Sequence, residues 1–94
     1  MKRPRHLWTL DDDIVAFYLS RHGTRFLPMM EAGIAKRLGM PEGSLGMRRQ
    51  NFHYLDGRSG LKNAAELSRQ VHIRYGKMTE PELRSLALKV LETK

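Results

Sequence analysis

Cysteine is absent from this chain of 94 residues, and aromatic side chains are few, with one Trp, three Tyr and three Phe. The lack of cysteine excludes disulfide bonds and thiolate metal sites. No apolar run approaches the roughly 18 residues of a membrane-spanning helix, and the opening MKRPRHLWTLDDD is charged where a signal peptide would be apolar. We therefore expect one cytoplasmic domain with a modest core and no membrane partner.

Negative charge is also in short supply, with ten Asp and Glu against seventeen Lys and Arg, so that the net charge is +7. Most of this excess lies in residues 21–62, where eight basic residues stand against three acidic ones. Such a balance indicates a polyanionic partner, such as nucleic acid or an acidic membrane face.

Signatures of catalysis are missing as well. The chain contains no phosphate loop, no nucleophile elbow and no metal-gripping HNH cluster. No two of its histidines have the i, i+4 spacing of a helical zinc site. We therefore expect no enzymatic activity, no catalytic residue, no metal and no cofactor. The histidines are His6, His22, His53 and His72.

The first predicted helix runs from Leu10 to about His22. Thr9 is its expected N-cap, Asp12 is placed to complete a capping box, and Gly23 ends it. The three consecutive aspartates favour a helix start over a magnesium site, because neighbouring side chains on a helix point in different directions. One buried stripe is expected on this helix, formed by Leu10, Ile14, Phe17 and Tyr18.

A second helix is predicted from Pro28 to Leu38 and a third from about Glu42 to Leu55, with a tight turn over residues 39–41 between them. The second is expected to bury Met30, Ile34 and Leu38. The methionines are interpreted as core or turn residues rather than as a partner groove, namely Met29, Met30, Met40 and Met47.

Two further helices are predicted near the C-terminus, one opened by Asn63 with Glu66 and one by Thr79 with Glu82. The predicted fold class is all-α, with a helix-turn-helix core of three helices over residues 8–57 and a helical extension over 58–94. Residues 1–7 are expected to form a flexible basic arm. The extension is expected either to complete the core or to bind a protein partner or a second copy of the chain.

Helical projection of the third helix predicts a packed side and an exposed ridge. The packed side is expected to hold Arg48 and Asn51 among apolar residues such as Met47 and Phe52. Arg can grip guanine and Gln can pair with adenine in the major groove, so this ridge is the expected base-reading surface. Gly46 would let the backbone approach either DNA or the second helix closely. The ridge consists of Gly46, Arg49, Gln50 and His53.

Other cations are expected to contact phosphates, which supply affinity without sequence information. The arm, with Lys2, Arg3 and Arg5, could enter an adjacent minor groove. The remaining expected phosphate contacts are Lys36, Arg37, Arg48, Arg58 and Lys62.

Three blocks of the chain carry a family resemblance. WTLDDD resembles the start of the Myb/SANT-type three-helix domain. LWTLDDDIVAFYL, IAKRLGMPEGSLGMRRQNFHYLD and GLKNAAELSRQV together resemble the N-terminal, non-catalytic domain found ahead of the nuclease domain in some bacterial HNH endonucleases, over about residues 7–71. The resemblance implies DNA binding by a Myb-like helix-turn-helix. These 94 residues contain no HNH nuclease motif, so cleavage is not among the expectations that the resemblance carries over.

The sequence thus favours a double-stranded DNA-binding protein, such as a small transcription regulator or a recognition module of a phage or mobile element, located at the nucleoid. Two alternatives remain open. One is a protein-binding inhibitor or adaptor that uses the same basic face to bind an acidic partner. The other is RNA binding, because a basic helix can also follow RNA phosphates.

Overall fold

Five α-helices make up most of the chain that the computed structural model describes, residues 7–57 and 65–94. Only turns and irregular segments connect them, and no strand occurs in these two ranges. The prediction of an all-α chain with five helices is confirmed. The helices are α1 Leu10–His22, α2 Glu31–Leu38, α3 Glu42–Leu55, α4 Glu66–Tyr75 and α5 Glu80–Thr93.

Local sequence signals define both ends of α1, as predicted. The Asp12 N–H donates to Thr9 Oγ1 over 3.2 Å, and the Thr9 N–H donates to Asp12 Oδ2 over 3.2 Å. This reciprocal pair satisfies two amides that the first turn would otherwise leave without a partner. At the other end, Gly23 adopts a φ of 67°, which a residue with a side chain rarely does.

The position of α1 in the fold differs from the prediction of a single buried stripe. Every residue from Asp12 to Ser20 is buried, because α1 packs against α3, α4 and α5 at the same time. Leu10, expected in the stripe, is 37% exposed. A helix surrounded by other helices buries its whole circumference, so α4 and α5 contribute to the core as directly as α3 does.

The start of α2 also corrects the sequence prediction. Met30 is the N-cap, has an extended backbone and is 73% exposed, so it lies before the helix and outside the buried face. Pro28 precedes the helix instead of forming its first turn. Ile34 and Leu38 are buried as predicted, and they hold α2 against α3 and α5.

The turn between α2 and α3 has the predicted length of three residues. Gly39 adopts the left-handed conformation with φ 81° and ψ 30°, and its N–H donates to the Lys36 carbonyl over 3.1 Å. The Met40 N–H donates to the Ala35 carbonyl over 2.9 Å, and the Met40 side chain is buried. A helix end closed by glycine in this way turns the chain sharply, so α3 begins directly after Pro41.

The last two helices begin with different capping arrangements. The Glu82 N–H donates to Thr79 Oγ1 over 3.4 Å, and the Thr79 N–H donates to Glu82 Oε1 over 2.9 Å, which confirms the predicted capping box of α5. The N-cap of α4 is Ala65, and its N–H donates to Asn51 Oδ1 on α3 over 2.8 Å. The predicted capping role of Asn63 lies outside the described residues.

Among the helices of residues 7–57 and 65–94, none is long and apolar enough to cross a membrane.

Candidate nucleic-acid interface

The outward face of α3 is formed by Gly43, Met47 and Gln50, which are all exposed. These positions are four and three residues apart, so they share one face of the helix. Tyr54, one turn further along, is partly exposed on the same face. This face is rotated from the predicted ridge by roughly a quarter turn. Met47, predicted on the packed side, is 69% exposed, so neither that placement nor its interpretation as a core or turn residue holds.

The packed side of α3 is centred on Leu45 and Phe52, which are fully buried. The ring centroids of Phe52 and Phe17 on α1 lie 5.0 Å apart. Arg48 and Arg49 lie on either side of this apolar line, each about 100° from the other around the helix axis. The two adjacent arginines therefore extend toward different neighbouring helices.

Arg48 binds a carboxylate on α1. Its Nε donates to Asp13 Oδ1 over 2.7 Å and one terminal nitrogen donates to Asp13 Oδ2 over 2.8 Å. The Arg48 side chain is 13% exposed and that of Asp13 is fully buried. Burial raises the pKa of Asp13, whereas the hydrogen bonds and charge of Arg48 and a hydrogen bond from Ser68 act in the opposite direction. The phosphate contact expected of Arg48 would have to compete with this buried, two-point ion pair.

Arg48 also stacks on an aromatic ring. Its guanidinium carbon lies 4.3 Å from the ring centroid of Trp8, within the range of a cation–π interaction. The tryptophan before α1, the carboxylate on α1 and the arginine on α3 thus form one cluster. This cluster fixes one edge of α3 on the core.

Arg49 binds the start of α2 instead of pointing outward. One terminal nitrogen lies 2.9 Å from both carboxylate oxygens of Glu31, and the two side chains are 31% and 26% exposed. Its Nε is buried and has no hydrogen-bond partner among the described residues. Arg49 was the principal expected base reader. A contact between Arg49 and a base would require it to leave Glu31.

The other residues of the predicted ridge differ in exposure. Gln50 is exposed, whereas Gly46 and His53 are partly buried. A Cβ atom built on Gly46 would meet no atom within 4 Å, so close packing against α2 does not explain this glycine. Asn51 has a structural role on the side toward α4, since its Nδ2 donates to the Met47 carbonyl over 3.1 Å while its Oδ1 accepts from Ala65.

Cations flank α3 on two sides. Lys36 and Arg37 lie exposed in the last turn of α2, directly before the turn into α3. Arg37 donates to the Leu91 carbonyl on α5 over 3.1 Å, which ties its position to that helix. Lys36 has no ion-pair or hydrogen-bond partner in the described ranges. The predicted contacts from Lys2, Arg3, Arg5, Arg58 and Lys62 lie outside those ranges.

A second group of cations lies on α4 and the turn after it, and none of them is among the predicted contacts. Arg69 extends over the Tyr54 ring of α3, with its guanidinium carbon 5.9 Å from the centroid, and Arg74 and Lys77 are exposed. Ile73 lies among them and is 81% exposed. Arg69 and Arg74 in a helix of low hydrophobicity are the signal for this group in the sequence, whereas the prediction for α4 is that it completes the core or binds a protein.

The end of α3 is held by a charged network. Asp56, the C-cap residue, accepts from the Arg21 guanidinium of α1 over 3.0 and 3.3 Å, and its Oδ1 lies 2.8 Å from His72 Nε2 of α4. Burial opposes ionisation of Asp56, but the hydrogen bonds and charges of Arg21 and His72 outweigh it and lower its pKa to about 2. The network joins α1, α3 and α4 at one point.

Within residues 7–57 and 65–94, no group of three His, Asp or Glu side chains is arranged to hold a metal ion. Comparisons of the chain with models of protein families, with curated proteins and with solved structures found no match. The Myb/SANT and HNH-associated resemblance therefore stays a prediction from the sequence.

Proposed function

We propose that the protein binds double-stranded DNA, with α2 and α3 acting as a Myb-like helix-turn-helix and α3 entering the major groove. One observation carries the proposal: a three-residue glycine turn presents a 14-residue helix whose outward face has no carboxylate after Glu42. A helix of this length extends about 21 Å, and the major groove is wide enough to admit it. Helix-turn-helix proteins place their second helix in this way.

The charge distribution supports the same partner. Lys36 and Arg37 lie beside the start of α3, and Arg69 extends from α4 over Tyr54 in the last turns of α3, while Arg74 and Lys77 are exposed further along the chain. Cations on both sides of a groove-binding helix would neutralise phosphates on the two strands that border the groove. The two carboxylates that face α3 from its neighbours, Asp13 and Glu31, are each paired with an arginine of α3.

Salt-dependent binding to duplex DNA tests the proposal. We expect fluorescence anisotropy to detect binding that weakens steeply as salt rises, because bound cations release counterions from DNA. Lys36→Ala should lower the slope of log K against log salt by about 1. Lys89→Ala is the matched control, because it removes one exposed cation from α5, which packs against α1 and α2. Weak binding without salt dependence would contradict DNA binding, and tighter binding to structured RNA would favour the RNA alternative.

A protein-binding role is the second candidate. Phe26 and Met30, before α2, are 47% and 73% exposed, and a groove of about 420 Å³ lies nearby. Exposed apolar side chains beside a groove are typical of protein-interaction surfaces. A stoichiometric protein partner retained by Lys36→Ala but lost in Met30→Ala would favour this role. The groove is lined by Pro28, Met29, Arg37, Leu88, Leu91 and Glu92.

A further inference from the structure

The arginines of α3 are engaged within the protein, which restricts what the helix can read. Arginine pairing with guanine is the commonest specific contact in the major groove. Arg48 is held by two hydrogen bonds to buried Asp13, and Arg49 lies 2.9 Å from both oxygens of Glu31. Neither guanidinium lies on the outward face. The side chains of α3 that are free to contact bases are therefore the exposed ones on its outward face.

Two of those side chains have complementary chemistry. Gln50 is exposed and makes no hydrogen bond with the described residues, so its amide can both donate and accept. A glutamine amide matches the N6 donor and N7 acceptor of adenine. Met47 is 69% exposed and offers an apolar, polarisable surface, which suits the methyl group that thymine alone presents in the major groove.

The spacing of these residues fits neighbouring base pairs. Residues three apart on a helix have Cβ atoms about 5–6 Å apart, and successive bases on one strand are about 3.4 Å apart. Long side chains on adjacent turns of the helix can therefore reach consecutive base pairs. Gly43 and Gly46, which both precede Met47 on α3, have no side chain, and a Cβ built on either would meet nothing within 4 Å. The side of Met47 toward the start of α3 is therefore open.

We propose that α3 reads A·T base pairs, with Gln50 pairing with adenine and Met47 contacting the methyl group of a neighbouring thymine. This inference rests on the proposed binding of double-stranded DNA. It names Met47, which the sequence placed in the core, as a specificity-determining residue. It also assigns Arg48 and Arg49 to holding α3 in position and not to reading bases.

The test begins with selection of bound sequences from a random duplex library. A recovered motif with consecutive A·T pairs is the expected result. The motif is then remade with uracil in place of thymine, which removes only the methyl group, and with 7-deazaadenine in place of adenine, which removes the N7 acceptor. The uracil duplex should bind the wild-type protein about fourfold more weakly, which is the effect of removing one methyl-sized apolar group from contact.

Variants assign each contact to its residue. Met47→Ala should bind the thymine and uracil duplexes equally, and Gln50→Ala should lose the preference for adenine over 7-deazaadenine. Lys36→Ala is the control, because loss of a phosphate contact weakens both members of each pair alike.

Three outcomes would overturn the inference. A G·C motif lost in Arg49→Ala would show that Arg49 leaves Glu31 to read guanine. An A·T motif that Met47→Ala and Gln50→Ala leave unchanged would show that α3 does not read it through these residues. Both results keep DNA binding intact, whereas failure to bind any duplex would overturn the proposed function together with the inference.

Discussion

A substitution at Gly46 is expected to change the stability of the fold and the proposed DNA binding in opposite directions. It lies in the first half of α3, where glycine costs about 1 kcal/mol relative to alanine. Its position is open, because an added Cβ would meet no atom within 4 Å among the described residues. Gly46→Ala should therefore raise the free energy of unfolding by about 1 kcal/mol. For a domain of this size the melting temperature should rise by about 4–8 °C, measurable by circular dichroism.

The same substitution is expected to weaken DNA binding. If the α3 backbone lies close to DNA at this point, a methyl group must push the helix outward, at a cost of about 1 kcal/mol or more. Anisotropy should then show a loss of affinity of about fivefold or more. Gly33→Ala is the matched control on α2, because Gly33 is a helical glycine that is exposed, and its added Cβ would make only an ordinary contact, 3.5 Å from Met29 Cβ. Gly33→Ala should stabilise the fold and leave binding unchanged.

A Gly46→Ala protein that is more stable and binds duplex DNA as well as the wild type would refute the close approach. A Gly46→Ala protein that is less stable than the wild type would refute the interpretation of Gly46 as an open position in the helix. A cooperative melting transition would show that the variant is folded, so that either result can be distinguished from misfolding.

The remaining predictions concern the ion pairs around α3. The pKa of Asp56 is lowered from 3.8 to about 2, so its contribution of about 2 kcal/mol should be present above pH 4 and be lost as pH falls from about 4 to about 2. Denaturant titrations should show the advantage of wild type over Asp56→Asn shrinking across that window; a constant difference would contradict the pairing. Arg48→Met leaves buried Asp13 without its cation and should cost about 3–5 kcal/mol in urea unfolding. The double variant Asp13→Asn/Arg48→Met should recover part of that loss, and no recovery would argue against the pair as the cause. Glu31→Gln removes the charge that holds Arg49, so it should strengthen duplex binding more than Glu92→Gln does, and equal effects would show that only net charge matters.

Local chemistry accounts for what could be predicted from the sequence. Thr9 with Asp12 and Thr79 with Glu82 form the expected capping boxes, and Gly23 and Gly39 end their helices at positive φ. Each of these features depends on residues within about four positions of one another. That is why the bounds of α1 agree with the prediction.

Tertiary packing accounts for what could not be predicted. α1 is buried on all sides because three other helices pack against it. The sequence of α1 alone does not show that these helices are there, so it predicted one buried stripe that included the exposed Leu10. The orientation of α3 depends on Asp13, 35 residues from Arg48, and on Glu31, 18 residues from Arg49. Hydrophobic periodicity treats Met47 as apolar and therefore predicts that it is buried. The ion pairs of Arg48 and Arg49 accompany an orientation of α3 that leaves Met47 exposed. The helical projection therefore placed the exposed face of α3 roughly a quarter turn away from where it lies.

The two ion pairs of α3 attach one side of the helix to the core and leave the opposite side open to substitution. Arg48 and Arg49 hold it from opposite sides of the Leu45 and Phe52 line, whereas the side chains of Met47 and Gln50 make no hydrogen bond or ion pair with the described residues. We therefore expect helix-compatible substitutions at positions 43, 47 and 50 to leave the attachment of α3 to the core unchanged. If the proposed DNA binding holds, a library at these three positions presents many different side-chain combinations from one fixed helix. Selecting this library against different duplexes would measure how many DNA sequences a single 94-residue chain can be made to recognise.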